Sequence, residues 1–253
     1  MNPNVQQPYY RNLNMLNGVA DPTPIYKFMP FRYALLMILK NTLTIGKIKE
    51  WPDVYENYVL KQKFYFQQTG EPLDVFNQAD GIFGQCWSEV PESDAMWRIY
   101  SPDLDTIRIR TTVEKLYDTI YVNDQCMADT YIGRVEYKPQ IDIDTDVQAL
   151  SPLDFSNLIL EIKNCAFVKR IEFDHEHEVR IVKILDSQHA RNNGPLLTYP
   201  LAPGFIEELT IDPRASVGLV DQLRDLMVAV GANPNLINQS NLYQFTPHRI
   251  LMQ

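Results

Sequence analysis

The stretch KRIEFDHEHEVRIVKIL, residues 169–185, is the segment on which the interpretation of this chain depends. Its two ends alternate apolar and polar residues, which is typical of a β-strand. Its centre, residues 173–178, holds two histidines and three acids. The pattern predicts one long strand or hairpin over residues 169–185, with an unusual amount of charge in its middle.

Side chains on a strand point alternately to opposite faces of the sheet. One face of the predicted strand therefore carries Asp174, Glu176, Glu178 and Arg180, and the other carries Phe173, His175, His177, Val179 and Ile181. We expect Arg180 to pair with Glu178. Arg108 and Arg110, on a neighbouring strand, either balance the remaining acids or bind a phosphate. The plainest interpretation is a ladder of ion pairs on a solvated face, which carries no chemistry.

The rest of the chain mixes strand and helix patterns without a linker that would mark a domain boundary. Strands are predicted at 25–29, 43–46, 81–88, 106–112, 130–138 and 204–212, and helices at 31–41, 53–68, 92–101, 113–120, 151–164 and 215–231. The helix at 215–231 is expected to bury Leu219, Leu223, Leu226 and Val230. We predict a single α+β domain over residues 25–253, with a mixed, mostly antiparallel sheet and peripheral helices. Residues 1–24 are predicted to be an extended arm.

Composition narrows the class of protein. The 253 residues carry 32 acids against 23 bases, a net charge of −9, which argues against non-specific binding to nucleic acid. No apolar run is long enough to span a membrane, and the first residues do not resemble a signal peptide. The three cysteines fit neither a zinc spacing nor a disulfide framework. We expect a reduced, cytoplasmic protein without a metal.

Five motifs occur in an order that points to a known family. They are CWSEVPESDAMWRIYS (86–101), TIRIRTT (106–112), FVKRIEFDHEHEVRIV (167–182), IEELTIDPRA (206–215) and QSNLY (239–243). With these motifs the chain resembles a bacterial family catalogued as domain of unknown function 2971, over roughly residues 25–245. WPDVYEN, residues 51–57, replaces the usual acidic stretch after the first helix. The resemblance implies a shared fold and a conserved pocket whose chemistry is largely unassigned.

The Glu-x-Glu of residues 176 and 178 is also similar to the pair that ADP-ribosyltransferases carry on a late strand. This second resemblance implies NAD as the donor. It implies that Glu178 steadies the positive charge that develops on the ribose as nicotinamide leaves, and that Glu176 aids the acceptor. Such enzymes usually have His or Arg on the first strand, where this chain has Tyr26 and Lys27.

The pocket expected from this resemblance has aromatic and basic walls. Aromatic side chains would sandwich the nicotinamide, and bases would hold the phosphates. The expected ligand-binding residues are Tyr26, Lys27, Trp87, Trp97, Tyr100, Arg108, Arg110 and Arg180. For Trp97 and Tyr100, burial in the core of the protein is an equally natural interpretation, because amphipathic helices routinely bury aromatic residues.

Three functions are compatible with these residues. The leading hypothesis is nucleotide-dependent group transfer with NAD as the donor, in a bacterial defence or stress context. The second is a non-catalytic module that uses the same pocket to bind a nucleotide, another small molecule or a protein. The third is a metal-dependent phosphodiester hydrolase, in which Glu176, Glu178 and Asp212 would collect Mg²⁺.

Overall fold

The structure is a computed structural model that describes residues 13–53, 55–73, 75, 81–121, 129–150, 155–185 and 194–250. Its strands are β1 (Met15–Leu16), β2 (Pro24–Pro30), β3 (Thr42–Lys47), β4 (Phe64–Tyr65), β5 (Pro72–Leu73), β6 (Ile82–Ser88), β7 (Thr106–Thr112), β8 (Thr130–Arg134), β9 (Glu136–Lys138), β10 (Val168–Arg170), β11 (Glu178–Ile184), β12 (Leu196–Pro200), β13 (Glu208–Ile211) and β14 (Ile237–Gln239). Its α-helices are α1 (Phe31–Lys40), α2 (Asp94–Tyr100), α3 (Val113–Tyr121), α4 (Gln140–Ala149), α5 (Phe155–Cys165) and α6 (Val217–Ala229).

The predicted fold class is confirmed: this is an α+β protein with mixed, mostly antiparallel strand pairing and helices around it. The chain divides into two compact units, each assembled from three separate stretches. The first unit comprises residues 1–25, 42–89 and 112–205, and the second comprises 26–41, 90–111 and 206–253. The arm expected over residues 1–24 stays a prediction, because residues 1–12 lie outside the described part of the chain.

Strand β11 is central in the first unit. It pairs antiparallel with β6 on one side and with β8 on the other, so that Arg180 lies opposite Cys86 and Gly133. Beyond these neighbours, β3 pairs with β6 and β12, and β1 pairs parallel with β8. All but the last residue of β11 is buried. The interpretation of the charged face as a solvated ladder of ion pairs is therefore wrong, because these residues of β11 are buried.

A helical layer covers the first unit near β11. Helix α5 and the 3₁₀ helix Tyr58–Lys61 belong to one apolar cluster with Val182 and Ile82. Beside it, β9 and β10 form a parallel two-stranded ribbon in which Lys169 lies opposite Tyr137. This ribbon, rather than the main sheet, holds the beginning of the stretch at 169–185.

Three predicted elements differ from the structure, and the simplest case is the strand expected over 130–138, which is divided into β8 and β9. The helix expected over 53–68 is a turn followed by the 3₁₀ helix Tyr58–Lys61, because Asn57 adopts a left-handed conformation (φ +55°) and its side chain donates to the Ile48 carbonyl. The long strand expected over 169–185 is interrupted by the 3₁₀ helix Ile171–Glu176. The left-handed His177 (φ +41°) then turns the chain into β11.

The second unit closes with a strand–helix–strand arrangement. Strand β13 runs antiparallel to β7 and parallel to β14, and α6 connects the two parallel strands. Ser216 caps α6 by accepting from the backbone N–H of Leu219. The predicted buried face is only partly correct: Leu223 is buried, but its companions are Val220 and Met227, whereas Leu226 is exposed.

Gly84 lies where β11, the 3₁₀ helix Ile48–Glu50 and Trp51 approach β6 closely. A Cβ at this position would lie 2.9 Å from the Ile181 carbonyl oxygen and 3.0 Å from the Ile48 side chain. Gly84→Ala is therefore expected to lower the free energy of unfolding by about 1–3 kcal/mol. Gly218→Ala is the matched control. It lies within α6 with nothing inside 4 Å of its Cβ, and it should raise stability by up to about 1 kcal/mol. Urea denaturation measures both, and equal midpoints for the two variants would contradict the close approach.

Candidate active site: a buried carboxyl pair

Glu176 and Glu178 lie on either side of the turn at His177. Glu176 ends the 3₁₀ helix and Glu178 begins β11, and each residue is only 6% exposed. When Glu176 carries a proton, its carboxyl group can donate a hydrogen bond to Glu178. Each group therefore affects the protonation of the other, and the pair titrates as a unit. His177 and His175, which were expected to share a strand face, are exposed in the turn.

Lys169 bridges the two carboxyl groups from the β9–β10 ribbon. Its Nζ lies 2.5 Å from Glu176 Oε2 and 2.8 Å from Glu178 Oε1. The same ammonium lies 4.6 Å from the centre of the Phe173 ring and 3.8 Å from Glu56 Oε1. A single buried cation therefore serves both members of the pair.

Arg180 holds the second oxygen of Glu178. This fully buried side chain donates from Nε to Glu178 Oε2 at 2.6 Å, from Nη1 to the Ala166 carbonyl at 2.8 Å, and from Nη2 to Glu56. Its guanidinium lies over Trp51, 4.5 Å from the ring centre. The predicted pairing of Arg180 with Glu178 is confirmed, and it occurs inside the protein rather than on a solvated face.

The electrostatics of Glu178 follow from these contacts. Burial alone would raise the pKa of Glu178, but the charge of Arg180, the hydrogen bond from Glu176 and the Lys169 ammonium together lower it to about 2. The backbone N–H of Glu178 donates to Tyr137 Oη at 2.8 Å, and burial raises the pKa of that phenol. Glu178 is thus ionised at neutral pH and fixed at both its backbone and its carboxylate.

Trp87 is placed in the same unit but in its packed interior. It lies opposite Val179 in the β6–β11 pairing and is buried. Its Nε1 donates to Gln85 Oε1 at 2.9 Å, and its ring meets the edge of Phe205. These contacts account for Trp87 as part of the core.

Arg108 and Arg110 lie in the second unit, where Arg108 pairs with the first residue of β13 and Arg110 with the acid just before that strand. Arg108 is buried, binds Glu208, and donates to Thr210 Oγ1 at 2.9 Å. The side chain of Arg110 is 42% exposed, with its Nε 3.4 Å from Glu207 Oε2. The pairing of β7 with β13 places Arg110 directly opposite Glu208 and Arg108 opposite Thr210. The register of this strand pair brings β13 and the residue before it close to both arginines.

The aromatic residues predicted for the pocket form part of the interior of the second unit. The Trp97 ring meets the Phe28 ring edge-on, with 4.8 Å between the ring centres. The Tyr100 ring stacks on the same Phe28 ring at 6.1 Å. Trp97 Nε1 donates to Glu92 Oε2 at 3.0 Å. Tyr26 is buried with the Arg108 guanidinium over its ring, and Lys27 beside it is half-buried.

The magnesium site considered from the sequence is not assembled from these acids. Asp212, in the second unit, is bound by Arg214 through both carboxylate oxygens. Within the described ranges, no group of three or more His, Cys, Asp or Glu residues is placed to hold a metal ion. No helix of the described part is long and apolar enough to cross a membrane.

Sequence reasoning assigned no role at the carboxyl pair to several residues that contact it or its partners. Glu56 and Trp51 come from the segment that was predicted to lead into a helix, more than a hundred residues before Arg180. Tyr137 and Lys169 both come from the β9–β10 ribbon. The unusual number of acids around residue 176 was the one available signal, because buried acids require buried cations.

A cleft of about 480 Å³ in the first unit lies apart from the predicted site residues. Its lining includes Glu136, Lys138, Asp146 and Glu161, and none of the residues predicted for the site. Lys138 already binds Asp146 at 2.9 Å. The cleft therefore adds no group to the carboxyl pair.

Comparison with known proteins gives a distant likeness in structure. No protein-family model and no curated protein matches the chain, so the resemblance to domain of unknown function 2971 is not confirmed. Thermus sp. 2.9 DarT in complex with NAD⁺ matches with a TM-score of 0.41 and 11% identity, over 88% of this chain and 97% of that one. The same protein in complex with ADP-ribosylated ssDNA matches with a TM-score of 0.37 and 11% identity, over 85% and 91%. At these values the likeness assigns no activity to this chain.

Removing Arg180 should have a large effect on stability. Arg180→Met leaves the carboxylates of Glu178 and Glu56 buried without this partner, and we expect a loss of about 3–5 kcal/mol in the free energy of unfolding. Arg98→Met is the control, because Arg98 and Asp94 form an exposed pair one helical turn apart, and no measurable change is expected. Chemical denaturation compares the two variants. A loss for Arg180→Met no greater than that for Arg98→Met would refute the buried cluster.

The free energy of unfolding should fall at low pH, because Glu178 becomes protonated. Its pKa is about 2 in the fold against an ordinary value of 4.5, so its ionisation stabilises the fold above pH 4.5. That contribution, on the order of 3 kcal/mol, is lost as the pH falls towards 2. Urea denaturation between pH 6 and pH 2 should show a shallower decline for Glu178→Gln than for the parent chain. Glu172→Gln, which changes an exposed acid of the same turn, should retain the parent slope. Parallel curves for the parent and Glu178→Gln would contradict the assignment.

Proposed function

We propose that this chain is an NAD-dependent ADP-ribosyltransferase that uses the Glu176–Glu178 pair. The observation that supports the proposal is the buried carboxyl pair itself. Glu178 is held ionised and immobile by Arg180 and Lys169, and the same Lys169 ammonium binds a second carboxyl group, that of Glu176. Pairs of acids whose environments separate their protonation behaviour are typical of sites that combine charge stabilisation with proton transfer.

Glu178 would stabilise the departure of nicotinamide. The bond between C1′ of the ribose and the pyridine nitrogen breaks, and its electron pair leaves with nicotinamide, which becomes neutral. Positive charge then develops on the ribose. A carboxylate that is already oriented stabilises this charge without having to rearrange during the step, which is the condition for a large electrostatic effect.

Glu176 would serve the acceptor. A lone pair of the acceptor forms the new bond to C1′, and the acceptor must lose a proton as this bond forms. Glu176 in its ionised form takes that proton as a general base. One carboxylate therefore stays charged throughout the reaction, and the other exchanges a proton with the substrate.

The remaining residues that were predicted to bind a ligand differ in exposure, and their proposed roles differ accordingly. Lys27, Tyr100 and Arg110 keep part of their side chains exposed, and we propose them as ligand contacts. Trp87, in the same unit as the pair, is buried and engaged in packing and a hydrogen bond, so its proposed role is to support the site. Tyr26, Trp97 and Arg108 are buried and engaged within the second unit, so a role in ligand binding stays a prediction for them. We place the activity in the bacterial cytoplasm, in defence or stress, on the sequence resemblance alone.

A non-catalytic binding module is the competing function, and one observation favours it. Both glutamates are almost fully buried and ion-paired, which is also how a purely structural cluster would look. The two functions differ in turnover, because a binding module releases no nicotinamide.

Nicotinamide release tests the proposal. Purified protein is incubated with NAD and a cell lysate that supplies acceptors, and free nicotinamide is measured for the parent chain and for Glu178→Gln. We expect a fall of at least about 100-fold in the variant, because a preorganised charged group is removed. Glu172→Gln should release nicotinamide at the parent rate, because this acid is exposed in the same turn and lies outside the pair.

The variant must be shown to be folded by circular dichroism before its rate is interpreted. An undiminished rate in folded Glu178→Gln would remove Glu178 from the mechanism. No release from the parent chain, together with no rise in melting temperature on adding NAD, would reject the transferase and leave the binding module.

A further inference from the structure

Lys169 and Tyr137 form a two-point support for Glu178. They lie directly opposite each other in the parallel β9–β10 ribbon. Tyr137 accepts the backbone N–H of Glu178 through its hydroxyl oxygen, and Lys169 binds the carboxylate of the same residue. The ribbon thus fixes both the backbone and the side chain of one glutamate.

Lys169 is also the residue that joins the two glutamates. Its Nζ contacts one oxygen of each, at 2.5 Å and 2.8 Å, with its side chain 8% exposed. Arg180, by contrast, divides its contacts between Glu178 and Glu56. Of these two cations, Lys169 is the one that contacts both members of the pair.

The charge of Lys169 decides whether both carboxyl groups can lose their protons. Two carboxylates in one buried site repel each other, and one of them then retains a proton to higher pH. An ammonium placed between them offsets that repulsion directly. The doubly ionised state is the one in which Glu178 is charged and Glu176 is free to accept a proton.

We propose that Lys169 is a positioning residue that keeps the Glu176–Glu178 pair doubly ionised at neutral pH. Its catalytic consequence depends on the transferase function proposed above, whereas its effect on the carboxyl pair does not. Lys169 touches neither donor nor acceptor in this scheme and acts through the two glutamates.

Other titratable groups near the pair bear on the same equilibrium. Among the described residues, the charged and titratable groups that face it or its two cations include Glu56, Tyr137, Arg180, Cys86 and Cys165. Each of them is unchanged when Lys169 alone is replaced. A difference in titration between the Lys169 variants therefore results from the loss of the ammonium and not from a change in these surrounding groups.

The first test measures the carboxyl groups without any enzyme assay. Protein labelled with ¹³C at the glutamate carboxyl carbons is titrated by NMR, in the parent chain, Lys169→Met and Lys169→Arg. We expect one carboxyl of the pair to titrate at least one pH unit higher in Lys169→Met, because an opposite charge at this distance has been removed. Lys169→Arg, which keeps the charge, should recover most of the shift. Unchanged titration in Lys169→Met would overturn the proposal.

A double-mutant cycle guards against failure of Lys169→Met to fold. Lys169→Met with Glu176→Gln removes one cation and one acid together, so its net charge matches that of the parent chain. If Lys169 acts through Glu176, the double variant should lose less stability than the sum of the two single variants. When Lys169→Met is too unstable to measure, the double variant must still fold. Additive losses, or an unfolded double variant, would overturn the proposal.

The last measurement separates this inference from the proposed function. The rate of nicotinamide release is followed against pH for the parent chain and the Lys169 variants, and the acidic limb should move up by at least one pH unit in Lys169→Met and back in Lys169→Arg. If the parent chain releases no nicotinamide, the transferase fails while the NMR titration still decides the role of Lys169. Turnover with an acidic limb that does not move overturns the role of Lys169 and leaves the transferase standing.

Discussion

The structure of the first unit depends on the fact that buried acids need buried cations. Glu176, Glu178 and Glu56 are removed from water, and Lys169 and Arg180 are removed with them. Each of these groups would be costly to bury alone, and together they satisfy one another. Because the members come from a turn, a ribbon, a 3₁₀ helix and a central strand, their mutual requirement fixes how these four elements meet.

This requirement also explains the local backbone. The segment after β10 does not continue as a strand, because the acid at 176 and the acid at 178 must both reach the same ammonium. A 3₁₀ turn that ends in the left-handed His177 lies between β10 and β11. It brings Glu176 to the ammonium that also binds Glu178. The conformation of this turn and the charges of its side chains therefore favour the same arrangement.

Much of the fold follows from sequence patterns, and the exceptions have a common cause. Strand β7 and helix α1 were predicted within one residue, because their period and their flanking Pro or Thr residues are local signals. The helix that was wrongly predicted over 53–68 and the strand at 169–185 that is interrupted both contain residues whose partners are distant in sequence. Glu56 meets Arg180, and Lys169 meets residues beyond a turn. No local pattern encodes a partner that lies a hundred residues away.

The interleaving of the two units has a consequence for synthesis on the ribosome. The chain passes between the units five times, at residues 25–26, 41–42, 89–90, 111–112 and 205–206. Strand β6 is synthesised long before its partner β11. About ninety further residues must be translated before this edge of β6 can pair. Neither unit is a continuous fragment that could fold while the other is still being made. The nascent protein must therefore stay open until most of it has emerged, and an early stop would release unpaired strand edges that favour aggregation.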